Sequence, residues 1–271
     1  MVKHSNSDSD DAAYLVKGGA GGLSGGILTL CQQMFGDPLA AFGLGMFSAI
    51  VPVLIDYGSR SLSPSERRRT EDVAHYTLRE IERHLNEGHE PRTDGFLDIT
   101  PEIRSSAQEL CEGILEIARS EHQEAKLPYS GHLYASILFA DIVSVSEAER
   151  LLRILKSLTY REMCILTVLS DERGYEGLRT NCLHNEAGSD ELASLMQECF
   201  ELEGWGLLSQ VNYDQAPFYG PPSWLHVVPA NLRVTPYGIR LIELSGLSGI
   251  PTSDTGTVRE ILVDRVVSRH S

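Results

Sequence analysis

GGAGGLSGGILTLCQQMFGDPLAAFGLGMFSAIVPVLI, residues 18–55, carries one charged side chain, Asp37, and no Lys, Arg or Glu. Asp37-Pro38 divides it into halves of about nineteen residues. As helices these would span about 28 Å, close to the hydrocarbon thickness of a bilayer. The second half is apolar throughout. The first is weaker, with Gln32 and Gln33 near its end, but its glycines at 18, 19, 21, 22, 25 and 26 create three overlapping G-x-x-x-G spacings. Such spacing clears one helical face of side chains, so a second helix can approach closely. Gly18, Gly22, Gly25 and Gly26 are therefore the expected helix-packing and oligomerisation residues. In water each would cost up to about 1 kcal/mol relative to Ala in a helix, so tight packing must compensate. The stretch predicts an apolar helical hairpin inserted in a membrane. The same pattern also fits the buried core of a soluble domain, or an oligomer interface that never meets lipid.

Basic residues flank the stretch: Lys3 and Lys17 before it, then Arg60, Arg67, Arg68 and Arg69 in SRSLSPSERRRTED. Positive charge at both ends suits a hairpin with both ends in the cytoplasm, and a single span with a re-entrant first half is the alternative topology. Residues 1–17 begin polar and acidic where a secretory leader would be basic, and read as a disordered lead. The five cysteines (Cys31, Cys111, Cys164, Cys182 and Cys199) are odd in number and contain no C-x-x-C pair. A disulfide framework or structural zinc site is not expected, and a reducing cytoplasm fits. The formal net charge of -15 opposes binding to a phosphate backbone.

The rest of the 271-residue chain is expected to be mostly α. Residues 59–157 read as a helical domain. Ser63-Pro64-Ser65-Glu66 is a capping box with Pro at the first helical position, opening a helix that runs to Gly88. A loop over 88–98 precedes a helix expected to start at Thr100-Pro101. Further helices are expected near 130–143, 146–157 and 159–169. In 190–204 (DELASLMQECFELEG), apolar residues at 192, 195, 196, 199 and 202 predict another helix, ending in Gly-Trp-Gly-Leu-Leu. A Pro/Tyr/Gly-rich stretch over 213–222 follows, with short β-like runs at 224–228 and 231–234, then a helix capped by Thr235 with Pro236 at its first position. Residues 251–271 read as a tail. This succession resembles the winged-helix domains of many prokaryotic proteins, over about 158–250.

No motif points to an enzyme, a cofactor or a catalytic residue. A P-loop fails because 18–26 holds no Lys, and G-x-G-x-x-G fails at Ser24. His84 and His89 flank LNEG without forming H-E-x-x-H, and Cys182 and His184 lack a second ligand pair, so no metal site is expected. Glu124-Ala125-Lys126, with Asp94 or Asp98 upstream, could be half of a metal-dependent nuclease site, but SEHQEAK reads as a solvated helix face. Trp205 and Trp224, with Tyr213, Phe218 and Tyr219 between them, could line a partner-binding surface or pack on the domain's own helices.

An apolar hairpin, a helical middle and a winged-helix-like tail together resemble the layout of bacterial abortive-infection and related antiphage membrane effectors. The resemblance implies a non-enzymatic, oligomerising protein at the cytoplasmic face of the inner membrane. Its partners would be lipid, copies of itself and a triggering protein, with Arg60, Arg67, Arg68 and Arg69 anchoring to anionic headgroups. The alternative is a soluble cytoplasmic winged-helix adaptor that docks a protein through its hairpin or tail. Direct nucleic-acid binding is not expected, because 190–204 carries five acids and no Lys or Arg.

Overall fold

The computed structural model describes residues 45–100, 103–183, 189–211 and 223–263. Among them the chain is mostly helical, with one two-stranded sheet. It divides into two compact units, Met1–Lys156 and Ser157–Ser271. The first half of the expected hairpin, residues 212–222 and residues 264–271 lie outside the described residues.

The described part of the first unit is helical. α1 (Gly45–Ser59) buries Met46, Phe47, Ile50, Val51, Val53, Leu54 and Tyr57, and packs against α3 (Ser106–Ser120). The apolar residues of 45–58 thus form core of this unit. α2 (Pro64–Asn86) opens with the expected capping box: the Glu66 amide donates to Ser63 Oγ at 3.3 Å, and the Ser63 amide donates to Glu66 Oε2 at 2.8 Å. α2 packs along α3 and, most extensively, α4 (Leu127–Ile137). That crossing is close because position 131 has no side chain: a Cβ on Gly131 would sit 2.8 Å from Tyr76 Cβ and 3.0 Å from the Thr77 amide nitrogen. Buried Arg92 ties the loop after α2 to the end of α4, pairing with Asp94 and donating to the Ile137 and Val143 carbonyls. α5 (Val145–Ser157) completes the unit.

α3 begins later than the sequence suggests. Ser105 and Gln108 form its capping box, while Thr100 closes only a local turn by accepting from the Ile103 amide. Both Thr100 and Ser105 are good caps, but the reciprocal Gln lies three residues after Ser105.

The second unit is built around α6 (Tyr160–Ser170), whose Met163, Cys164, Ile165, Leu166, Val168 and Leu169 are all buried. α7 (Asp190–Gly204) buries the five apolar positions read from the sequence. β1 (Leu208–Gln210) pairs antiparallel with β2 (Leu232–Val234), matching Leu208 with Val234 and Gln210 with Leu232. α8 (Pro236–Ser245) has Thr235 as cap and Pro236 at its first turn. Trp224–His226 is a 3-10 turn rather than a strand. Within the residues read as a tail, α9 (Thr252–Leu262) packs on α6 and buries Val258 and Leu262. Gly256 inside this segment weakened the helical signal, and contact with α6 overrides it.

Candidate functional site

The densest group of chemically versatile side chains among the described residues lies at the C-terminal end of α2. Glu80, His84 and Glu87 recur at helical spacing, and Gly88 ends the helix in the left-handed region at φ 82°. The Gly88 amide then donates to Leu85 O and the His89 amide to His84 O, both at 3.0 Å. These two bonds define a Schellman motif, which brings the third residue from the helix end against the second residue beyond the cap. Here those residues are His84 and His89.

Their Nδ1 atoms lie 2.9 Å apart. Glu87 Oε2 is 3.8 Å from His89 Nδ1, and the ligand atoms of His84, Glu87 and His89 all lie within 4.8 Å of one another. On its other edge, His84 Nε2 faces Glu80 Oε1 at 3.5 Å and Ser136 Oγ on α4 at 3.5 Å, and its ring stacks on Phe139. Arg83 spans the group, pairing with both Glu80 and Glu87. The inner members are well covered, Glu80 with 9% of its side chain exposed and His84 with 12%. Glu87 and His89 stand in solvent at 46% and 54%.

Burial pushes the His84 imidazole below its usual range, and Arg83 adds to this. Burial also depresses His132, which faces Glu80 from α4. Glu80 is raised by burial, but its bonds with Arg83 and the nearby imidazoles outweigh this and hold it below the ordinary carboxylate range. Two imidazoles and a carboxylate are donors that suit a transition-metal ion, Zn²⁺ among them.

In the sequence His84 and His89 flank LNEG without forming a recognised ligand motif, and no metal site is expected there. The available signal was Gly88: as the left-handed residue of a helix cap, it fixes which two side chains converge.

The other predicted residues are placed as follows. Gly18, Gly22, Gly25, Gly26 and Tyr219 lie outside the described residues. Arg60 pairs with Asp56, Glu112 and Glu116 and lies over the Tyr57 ring. Arg68 pairs with Glu124. Arg69 donates to the carbonyls of Ala118 and Arg119 in the last turn of α3. Arg67 is half-buried on α2. Trp205 caps α7 and is 36% exposed, and half-buried Trp224 sits in the 3-10 turn packed on α7.

The E-x-K segment is not a solvated helix face. It forms a 3-10 turn in which Lys126 is buried, paired with Glu121 at 2.5 Å and donating to Lys156 O. Glu124 and Asp94 are engaged by Arg68 and Arg92. These two of the three candidate carboxylates are used here as structural pairs. Burial raises the thiols of Cys111 to about 12 and Cys164 to about 11, and Cys199 higher still, so these three are not activated nucleophiles.

Comparison with protein-family models, with curated proteins and with solved structures returns no match.

Proposed function

We propose that this chain is a membrane-directed, oligomerising effector whose apolar arm rests against its own helical unit until a partner engages the protein. The observation that carries this reading is α1. It is the end of a membrane-length apolar stretch, yet it lies buried on α3, with its last turn held by charged groups. Arg60 reaches Glu112, and Tyr57 donates to Glu116 at 2.9 Å. Among the described helices no other packs so extensively on α1, whereas α2, α3 and α4 contact one another independently of it.

Burying seven large apolar side chains is worth on the order of 10–20 kcal/mol against water. The arm therefore does not leave into solvent. It can be exchanged only for another apolar environment, such as lipid or a second copy of the chain. Among the described residues no helix is long and apolar enough to cross a membrane, so in this reading the span needs the residues before Gly45 as well.

The second unit would receive the trigger. Its order of helices and antiparallel ribbon supports the winged-helix-like reading. Acidic α7, with Asp190, Glu191, Glu198, Glu201 and Glu203, favours a basic protein surface over nucleic acid. A role in bacterial antiphage defence at the inner membrane follows from the resemblance in layout.

Burial of α1 also fits a second reading, a soluble adaptor in which α1 is permanent core; the membrane length and near-absence of charge of residues 18–55 favour the first. Fractionation of cells expressing the full chain, beside an Ile27→Glu/Leu30→Glu variant, separates the two. These substitutions lie ahead of the described helices. Full-length protein in the detergent-extractable membrane pellet, with the variant soluble, supports the effector. If both stay soluble, including after the trigger is supplied, the adaptor stands.

A further inference from the structure

We propose that the end of α2 is a binding site for a divalent transition-metal ion of the Zn²⁺ class, held by His84 Nδ1, His89 Nδ1 and Glu87, with a coordination position open to solvent. The Schellman turn already collects the donors. Ligands about 2.0–2.1 Å from a tetrahedral ion stand about 3.3 Å apart. The two ring nitrogens are 2.9 Å apart, the carboxylate oxygen is 3.8 Å from His89 Nδ1, and all three donors lie within 4.8 Å of one another, so a rotation of the Glu87 and His89 side chains brings the set to coordination distance. The two outer ligands are exposed and can make that adjustment by side-chain rotation, while His84 is fixed by stacking on Phe139.

The surroundings supply the second requirement of a metal site. A ligating imidazole is usually oriented by a carboxylate on its other nitrogen, which places the hydrogen there and frees the ligating nitrogen's lone pair. Glu80 Oε1 lies 3.5 Å from Nε2 of His84, in a nearly buried site, and is the carboxylate placed to take that hydrogen when an ion binds Nδ1. Arg83 Nη2, 3.4 Å from the same nitrogen, pairs with Glu80. With no ion bound, one imidazole N–H donates to the other Nδ1 and Arg83 pairs with Glu87. The ion replaces that hydrogen bond and draws on the free lone pairs of Glu87. Three protein donors leave the fourth tetrahedral position to water or to a donor from another molecule.

The same residues could instead form only a polar helix cap, and the two roles differ in their response to metal. Calorimetric titration of the full-length chain with Zn²⁺ is expected to show one site, with affinity falling tenfold or more in His89→Ala and in Glu87→Gln. Both positions are exposed, so these variants fold, as melting curves without metal will verify. Glu80→Gln keeps every donor and is expected to weaken binding about 10–100-fold through orientation alone. With Co²⁺ in place of Zn²⁺, the absorption spectrum is expected to lack a thiolate charge-transfer band. No binding, binding unchanged in His89→Ala, or a strong thiolate band that assigns the ion to cysteine would each overturn the site.

Discussion

The C-terminal ends of α2 and α7 are the same backbone motif with different side chains. α7 ends as α2 does: Gly206 is left-handed at φ 73°, its amide donates to Glu203 O at 2.9 Å, and the Leu207 amide donates to Leu202 O at 3.0 Å. In both, the motif presses together the residues flanking the cap. At α7 these are Leu202 and Leu207, with no exposed surface, and the contact is core. At α2 they are His84 and His89, one covered and one in solvent, and the contact is a pair of ligand-type nitrogens. The main chain decides which side chains meet, and their chemistry decides whether the meeting serves packing or binding.

The largest expected effect breaks the comparison on the packing side. Leu202→Ala or Leu207→Ala should cost about 3 kcal/mol in urea unfolding, because each removes a fully buried side chain and leaves a cavity. His89→Ala, at a mostly exposed position, should cost less than about 1 kcal/mol without metal. Equal losses at the two ends would mean that the imidazole pair is itself core.

Next in size are the cap glycines. Gly88→Ala and Gly206→Ala should each cost about 1–2 kcal/mol, since both force a Cβ into the left-handed region. Neither Cβ would meet another atom within 4 Å, so the cost is conformational and should be similar at the two ends. Gly88→Ala should also weaken Zn²⁺ binding, whereas Gly206→Ala should leave it intact. A loss in both would locate the ion elsewhere.

Melting with and without Zn²⁺ sharpens the contrast further. The metal should raise the midpoint of the parent chain and of Leu207→Ala, but not of His89→Ala, because only an intact donor set links binding to folding.

The smallest effect concerns the carboxylate in α7's last turn. Burial raises the Glu203 carboxyl, partly offset by a hydrogen bond from the Gln210 backbone. A glutamate whose folded pKa exceeds its unfolded value holds its proton longer when folded. Stability therefore falls as pH rises from the ordinary glutamate range through the folded value, and stays lower above it. Glu203→Gln should stabilise modestly at neutral pH and have no effect below the unfolded pKa, as thermal melts across pH would report. A neutral-pH loss would show that the charge is favoured where it sits.

Local signals were readable without coordinates. Ser63 with Glu66, Thr235 with Pro236, and the apolar spacing in DELASLMQECFELEG each concern residues within one or two turns of each other. Their hydrogen bonds and burial follow from helical geometry alone. Distant contacts decide the rest. Lys126 sits in a charged heptapeptide that looks solvated, yet Glu121 and the Lys156 carbonyl draw it inside. Thr252–Leu262 is helical because α6 covers it. The apolar run at 45–58 is compatible with lipid or with core, and its periodicity cannot distinguish them because both solvents favour the same side chains.

The metal cluster divides along the same line. The spacing of His84, Glu87, Gly88 and His89 is a property of the sequence, since a glycine cap at that position brings the two histidines together wherever the helix lies. The rest belongs to tertiary structure. Ser136 and His132 reach the cluster from α4, at a crossing that the missing side chain of Gly131 permits, and Phe139 stacks on His84. The reason is range: a helix cap closes over six residues and is written in the chain, whereas a buried, oriented imidazole needs a second helix to cover it.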